Sequence, residues 1–144
     1  MAEFEEIKFA RLRVNTNKKV EELMENALEG FIGLDESTKE LVIGSLLSEC
    51  KVSAADKILI GLLGYKAMSI IGWRETDTVS VKELSEKLGI NYNTVRSELS
   101  RLAKEKYVIP KARGYYSINT SLIENIAKRI INSKRKCTGN NRRK

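Results

Sequence analysis

The sequence predicts a mainly α fold with one small β wing-like hairpin. Three observations predict it. Several stretches set apolar residues at spacings of three and four, as a helix with one buried face requires. Two of these, residues 80–88 and 91–106, are separated only by a Gly-Ile turn. Directly after them, "YVIPKARGYYSIN" reads as strand, turn, strand.

Taken in order, the first fourteen residues are ambiguous. "IKFARLRVN" alternates like a strand, with Ile7, Phe9, Arg11 and Arg13 on one side, whereas Phe4, Ile7 and Leu12 also suit a helix. "TNKKVEELMENALEGF" puts Val20, Leu23, Ala27, Leu28 and Phe31 on a helical stripe, closed by Gly30 and Gly33. "DESTKELVIGSLLSEC" opens on capping residues and predicts a second helix with Leu41, Leu46 and Leu47 inward. Ser53 with Asp56 marks a third start, ahead of Ile58, Leu59, Leu62, Leu63, Met68 and Ile71. Apolar residues fall on more than one face there, so this helix should be the most buried.

"TDTVSV" is short and β-prone, and Ser80 with Glu83 makes an S-x-x-E capping box. The helix beyond it buries Val81, Leu84 and Leu88 and stops at Gly89, which suits the left-handed position past a helix end. Ile90 fills the turn and Asn91 caps the next helix, whose inner face is Val95, Leu99 and Leu102. At 100° per residue Asn93, Ser97, Ser100 and Lys104 point the opposite way, flanked by Thr94, Arg96 and Arg101. In the hairpin Val108 and Ile109 lead in, Pro110 to Gly114 turn, and Tyr115, Tyr116 and Ile118 lead out, with one tyrosine outward. Ser121 and Glu124 suggest a last cap, before the stripe Leu122, Ile123, Ile126, Ala127, Ile130 and Ile131. The tail "SKRKCTGNNRRK" has six basic residues, no acidic ones and nothing to pack, so residues 133–144 are expected to be disordered and dispensable to the fold.

Bulk composition narrows the function. The 144 residues, 42% apolar, suit one ordinary domain with extensions. No apolar run approaches the roughly 18 residues of a membrane span. The N-terminus starts acidic, without the basic and apolar regions of a secretory signal, so a cytoplasmic location and no membrane partner are expected. Cys50 and Cys137 have no CxxC spacing and there is no histidine, so free thiols, no zinc and no cofactor are expected. The missing histidine also removes Ser-His-Asp and Cys-His catalysis, and with no Gly-rich phosphate loop an enzyme is not expected. No small-molecule substrate is evident. Net charge is +7, unevenly spread: residues 1–78 carry 10 Lys/Arg against 14 Asp/Glu, and residues 79–144 carry 16 against 5. The halves are thus −4 and +11, which puts any polyanion contact in the second.

Two short helices joined by a glycine turn form a helix-turn-helix, whose second helix presents its N-terminal residues to base edges in the DNA major groove. "VSVKELSEKLGINYNTVRSELSRLAKEKYVIPKARGYYSI" resembles the winged helix-turn-helix domains of bacterial and archaeal transcriptional regulators. Lys82-Glu83-Leu84 and Leu88-Gly89-Ile90 carry the helix-and-turn pattern that precedes the recognition helix. Thr94-Val95, Leu99, Arg101 and Leu102 carry the recognition helix, and Tyr107 to Ile118 the wing. The resemblance covers about residues 53–119 and implies three helices plus a hairpin, with Ile58 to Ile71 as the first helix. Lys106-Tyr107 departs from the pattern, which usually has a glycine after the recognition helix.

The expected organisation is a helical extension over 1–51, a winged helix-turn-helix over 52–119, a C-terminal helix over 120–132 and the basic tail. Expected DNA-binding residues are Tyr92, Asn93, Thr94, Arg96, Ser97, Ser100, Arg101 and Lys104 on the helix, with Lys111 and Arg113 in the wing. The expected partners are double-stranded DNA and a second copy of the chain, because operators are usually paired half-sites. Two rivals stand beside this reading. A winged helix can serve as a protein–protein module of a transcription or replication complex. Alternatively the N-terminal strand and two helices could form a ribbon-helix-helix with Arg11 and Arg13 at the bases, though the acidic balance of residues 1–78 argues against it.

Overall fold

A computed structural model of the chain describes residues 16–142. Its helices are α1 (Thr16–Leu28), α2 (Ser45–Glu49), α3 (Ala54–Ile70), α4 (Val81–Leu88), α5 (Tyr92–Lys104) and α6 (Ile123–Arg142). The strands β1 (Ile32–Asp35) and β2 (Glu40–Ile43) form one hairpin. β3 (Val79–Ser80), β4 (Val108–Ala112) and β5 (Tyr115–Ile118) form an antiparallel sheet in the order β3-β5-β4. The segment read as an N-terminal strand lies outside the described residues. Among the described residues no helix is long and apolar enough to cross a membrane.

The central element is α3, as its two-sided apolar pattern predicts. Ser53 caps it, its Oγ accepting the Asp56 amide at 3.1 Å. Ile58, Leu59, Ile60, Leu62 and Leu63 are all fully buried. Gly64 lets the β1–β2 hairpin approach: a Cβ there would meet Ile32 Cδ1 and Leu41 Cδ1 at 2.6 Å each. One continuous core joins α1, the hairpin, the helix-turn-helix and α6, so α1 and the hairpin pack into the same core as α3.

Of the stretch 35–50, expected as one helix, only Ser45–Glu49 is helical; Asp35 ends β1, and residues 36–43 are the turn and second strand of that hairpin. Ile32 pairs with Ile43 and Leu34 with Leu41. The side chains alternate, Leu41 buried and Val42 exposed, which is the period of a strand. The reversal is set by Asp35, whose Oδ1 accepts the Ser37 hydroxyl at 2.7 Å and the Ser37 amide at 2.9 Å. Those bonds, with the Thr38 amide, hold the Asp35 carboxyl below its usual range. Lys39 completes the turn at φ 57°. The hairpin occupies the place where a ribbon-helix-helix would need its second helix. Phe31 is buried as expected, but beyond the end of α1.

The C-terminal expectation also changes. The Ser121/Glu124 cap is replaced by Asn119, whose Oδ1 accepts the Ser121 amide at 3.1 Å. α6 then runs through residue 132 to Arg142, where a disordered tail was expected. Its polar residues find tertiary partners. Arg129 Nε donates to Asp56 Oδ1 at 2.7 Å and Ser133 Oγ to Asp56 Oδ2 at 2.9 Å. Lys134 Nζ donates to the carbonyls of Asn26 and Glu29, oxygens that the end of α1 leaves without helical partners. Cys137 is bonded to Cys50, so the two thiols are not free. Ser133, Lys134 and Cys137 therefore carry bonds whose loss the fold would register.

Candidate nucleic-acid interface

The helix-turn-helix is built by local hydrogen bonds. Ser80 Oγ accepts the Glu83 amide at 3.0 Å, the first half of the expected capping box. The second half is absent, because Arg74 takes the Glu83 carboxylate in a fork of 3.0 and 2.9 Å. A bidentate, charge-assisted pair outweighs one carboxylate–amide bond. Arg74 Nη2 also donates to the Thr78 carbonyl at 3.0 Å, which fastens the preceding loop to α4. Gly89 takes the left-handed conformation at φ 67°. The Ser85 hydroxyl donates to the Ile90 carbonyl at 2.6 Å across the turn, and Asn91 Oδ1 accepts the Asn93 amide at 2.9 Å to start α5.

The helix phase is as expected: Val95, Leu99 and Leu102 are fully buried. Tyr92, Asn93, Thr94, Arg96, Ser97, Ser100, Arg101 and Lys104 are all exposed. They do not form one uniform surface. Asn93, Ser97 and Lys104 run along the outward row. Tyr92, Arg96 and Ser100 turn toward the wing, where they line one groove with Lys111 and Arg113. Arg101 turns the other way and is held by carboxylates of its own helix, Glu98 at 2.6 Å and Glu105 at 3.8 Å. Arg96 is thus the arginine of this helix that faces the wing.

The wing owes its placement to three contacts. β5 pairs with β3, Val79 against Tyr116 and Ser80 against Tyr115. The Val81 amide donates to the Gly114 carbonyl at 3.0 Å, tying the wing tip to α4. The register of β4 on β5 slips between Pro110 and Ala112, so Lys111 is the additional residue of a bulge. Bulges re-aim side chains, and here Lys111 lines the groove. Tyr115 is the outward tyrosine, 48% exposed. Tyr116, the other tyrosine of the strand, also lines the groove, a position that only the placement of the sheet beside α5 discloses.

Where the sequence departs from the winged-helix pattern, the backbone does not. Lys106 adopts φ 72°, the conformation that a glycine would take. Its amide donates to the Ala103 carbonyl at 3.1 Å and the Tyr107 amide to the Leu102 carbonyl at 3.0 Å, which closes α5 in a Schellman arrangement. Asn119 Nδ2 holds the Lys106 carbonyl at 2.7 Å. A β-carbon in this region costs about 1–2 kcal/mol, partly offset by the extra unfolded-state entropy of glycine. Lys106→Gly should therefore stabilise the protein by roughly 0.5–1 kcal/mol, read as a higher urea midpoint. A lower midpoint would show that the lysine side chain contributes more than its backbone costs.

Comparison with known families places this geometry. Residues 73–122 match the family model of the DeoR-like helix-turn-helix domain. The match takes in α4, α5 and the wing, and leaves α1, the β1–β2 hairpin and α3 outside. No curated protein and no solved structure matches the chain. Residues 73–122 are a DeoR-like helix-turn-helix domain, a winged helix-turn-helix DNA-binding domain of transcriptional regulators.

Proposed function

We propose that the protein binds double-stranded DNA sequence-specifically as a transcriptional regulator, with α5 in the major groove and the β4–β5 wing on the backbone. One observation carries this reading: Arg96 and Ser100 of α5 share a groove with Lys111 and Arg113 of the wing. A duplex laid against the exposed face of α5 then meets base-reading and phosphate-binding groups together. Asn93 matches the donor and acceptor of adenine, and Arg96 the two acceptors of guanine. Thr94 and Ser97 are short enough for close approach. Lys111 and Arg113 neutralise phosphates and release condensed counterions. Arg101 and Lys104 lie further along α5, where Glu98 and Glu105 temper Arg101. The active form in this reading is a homodimer on two half-sites about one helical turn apart, and the protein acts in the cytoplasm as a binder without catalytic activity.

The test starts from a preferred site selected from genomic fragments. Arg96→Ala or Asn93→Ala should cost about 1–3 kcal/mol on that site and much less on unrelated DNA. Lys111→Ala with Arg113→Ala should weaken all sequences alike and flatten the slope of log K against log salt by about 1–2. Equal losses for Arg96 and Asn93 on both DNAs would make them phosphate contacts. No affinity at low salt would replace the reading with a winged-helix protein–protein module.

A further inference from the structure

A second surface lies away from α5 and the wing. Between α1, β1 and the end of α3 runs an apolar groove floored by Met24, Leu28, Leu34, Ile70 and Ile71. Ile70 is 43% exposed and Ile71 51%. Two adjacent exposed isoleucines that continue an apolar groove mark a surface that is usually covered. Its rim is acidic, carrying Glu21, Glu25 and Glu29. Among the described residues no ion pair takes up the Glu21 or Glu25 carboxylate.

We propose that this groove is the docking site of the chain's own N-terminal segment, residues 1–15. That segment ends where α1 begins, at Thr16, so it is tethered beside the groove. Fifteen residues reach about 50 Å when extended, more than twice the roughly 20 Å length of α1. The chemistry matches on both counts. Phe4, Ile7, Phe9 and Leu12 supply apolar side chains for the floor. The first six residues hold Glu3, Glu5 and Glu6, whereas residues 7–13, "IKFARLR", carry Lys8, Arg11 and Arg13 and no acid, so it is this second part that complements the glutamate rim. A second copy placed symmetrically would set the same glutamates against each other, so the tethered segment is the favoured occupant. The acidic balance of the first 78 residues then belongs to an intramolecular contact, separate from the DNA surface.

Hydrogen exchange of the full-length protein, read by mass spectrometry, tests this. The amides of residues 7–13 should exchange at least about tenfold more slowly than in a free peptide of residues 1–18. Glu21→Lys with Glu25→Lys should abolish that protection without changing the melting temperature of the folded body, because both side chains are exposed. Adding Arg11→Glu and Arg13→Glu to that variant should restore it. Protection should be the same across a wide range of protein concentrations. Unprotected amides, protection indifferent to the rim charges, or protection that appears only as a dimer forms would each overturn the proposal, the last by giving the groove to a second copy.

Discussion

Leu99→Ala should lower the stability of the folded protein by about 2–5 kcal/mol, one of the two largest effects expected of a small change to this chain. Leu99 is fully buried on the inner face of α5, where that helix packs on α3 and α4. Deleting its isobutyl group forfeits the transfer energy and leaves a cavity in the middle of the core. The neighbours are Val95 and Leu102 on the same face and the closely packed α3, so the site collapses poorly. A loss of this size is a large share of the whole stability of a domain of this length. The substitution leaves Asn93, Arg96 and Ser97 untouched on the opposite face. The fraction that remains folded should therefore bind DNA with its original preference. Urea titration gives the first number and binding at low temperature the second. A midpoint that does not move would place Leu99 at the surface and reverse the assignment of inner and outer faces, and with it the choice of base-reading residues.

That face was legible because every local signal around it agrees. Ser80, Gly89 and Asn91 each set a boundary by chemistry confined to a few residues. The buried positions of α5 follow from spacing alone. The β1–β2 hairpin was not legible for the opposite reason. Glu36, Lys39 and Glu40 are good helix formers and "DEST" opens like a helix cap, yet Asp35 uses that chemistry to close a turn. The run Leu41-Val42-Ile43 was the discordant signal, being rich in β-branched residues. The extent of α6 was hidden more deeply. Past Ile131 its sequence has no apolar stripe, and what holds it is a set of partners far away in the chain: Asp56 for Ser133, the end of α1 for Lys134, and Cys50 for Cys137. No window of sequence contains both sides of such contacts. The groove beside the wing was half legible. Lys111 and Arg113 stand out as charges in a turn, while the role of Tyr116 required the strand pairing to be known.

The Cys50–Cys137 bond carries the other large effect. It joins residues 87 apart, tying the end of α2 to the late turns of α6. Closing a loop of that length removes unfolded-chain entropy worth up to about 4–5 kcal/mol, and native disulfides typically contribute about 2–5. The lower part of that range is expected here, because α1 already packs along α6 and the reduced chain keeps those contacts. Reduction, or Cys50→Ser with Cys137→Ser, should lower stability by about 2–4 kcal/mol and the melting temperature by roughly 10 °C. The effect should reside in the unfolded state, so the folded reduced protein keeps its α5 surface. Neither sulfur lines the groove between α5 and the wing, and DNA affinity measured well below the melting temperature should be the same in both redox forms. Alkylation before and after reduction establishes that the oxidised sample carries the bond, and thermal melts of the two forms give the difference. If the bond is shown to be present and the melts still coincide, the end of α6 is not under the constraint that the fold assigns to it. The Ser133 and Lys134 contacts would then be all that fixes that end of the helix.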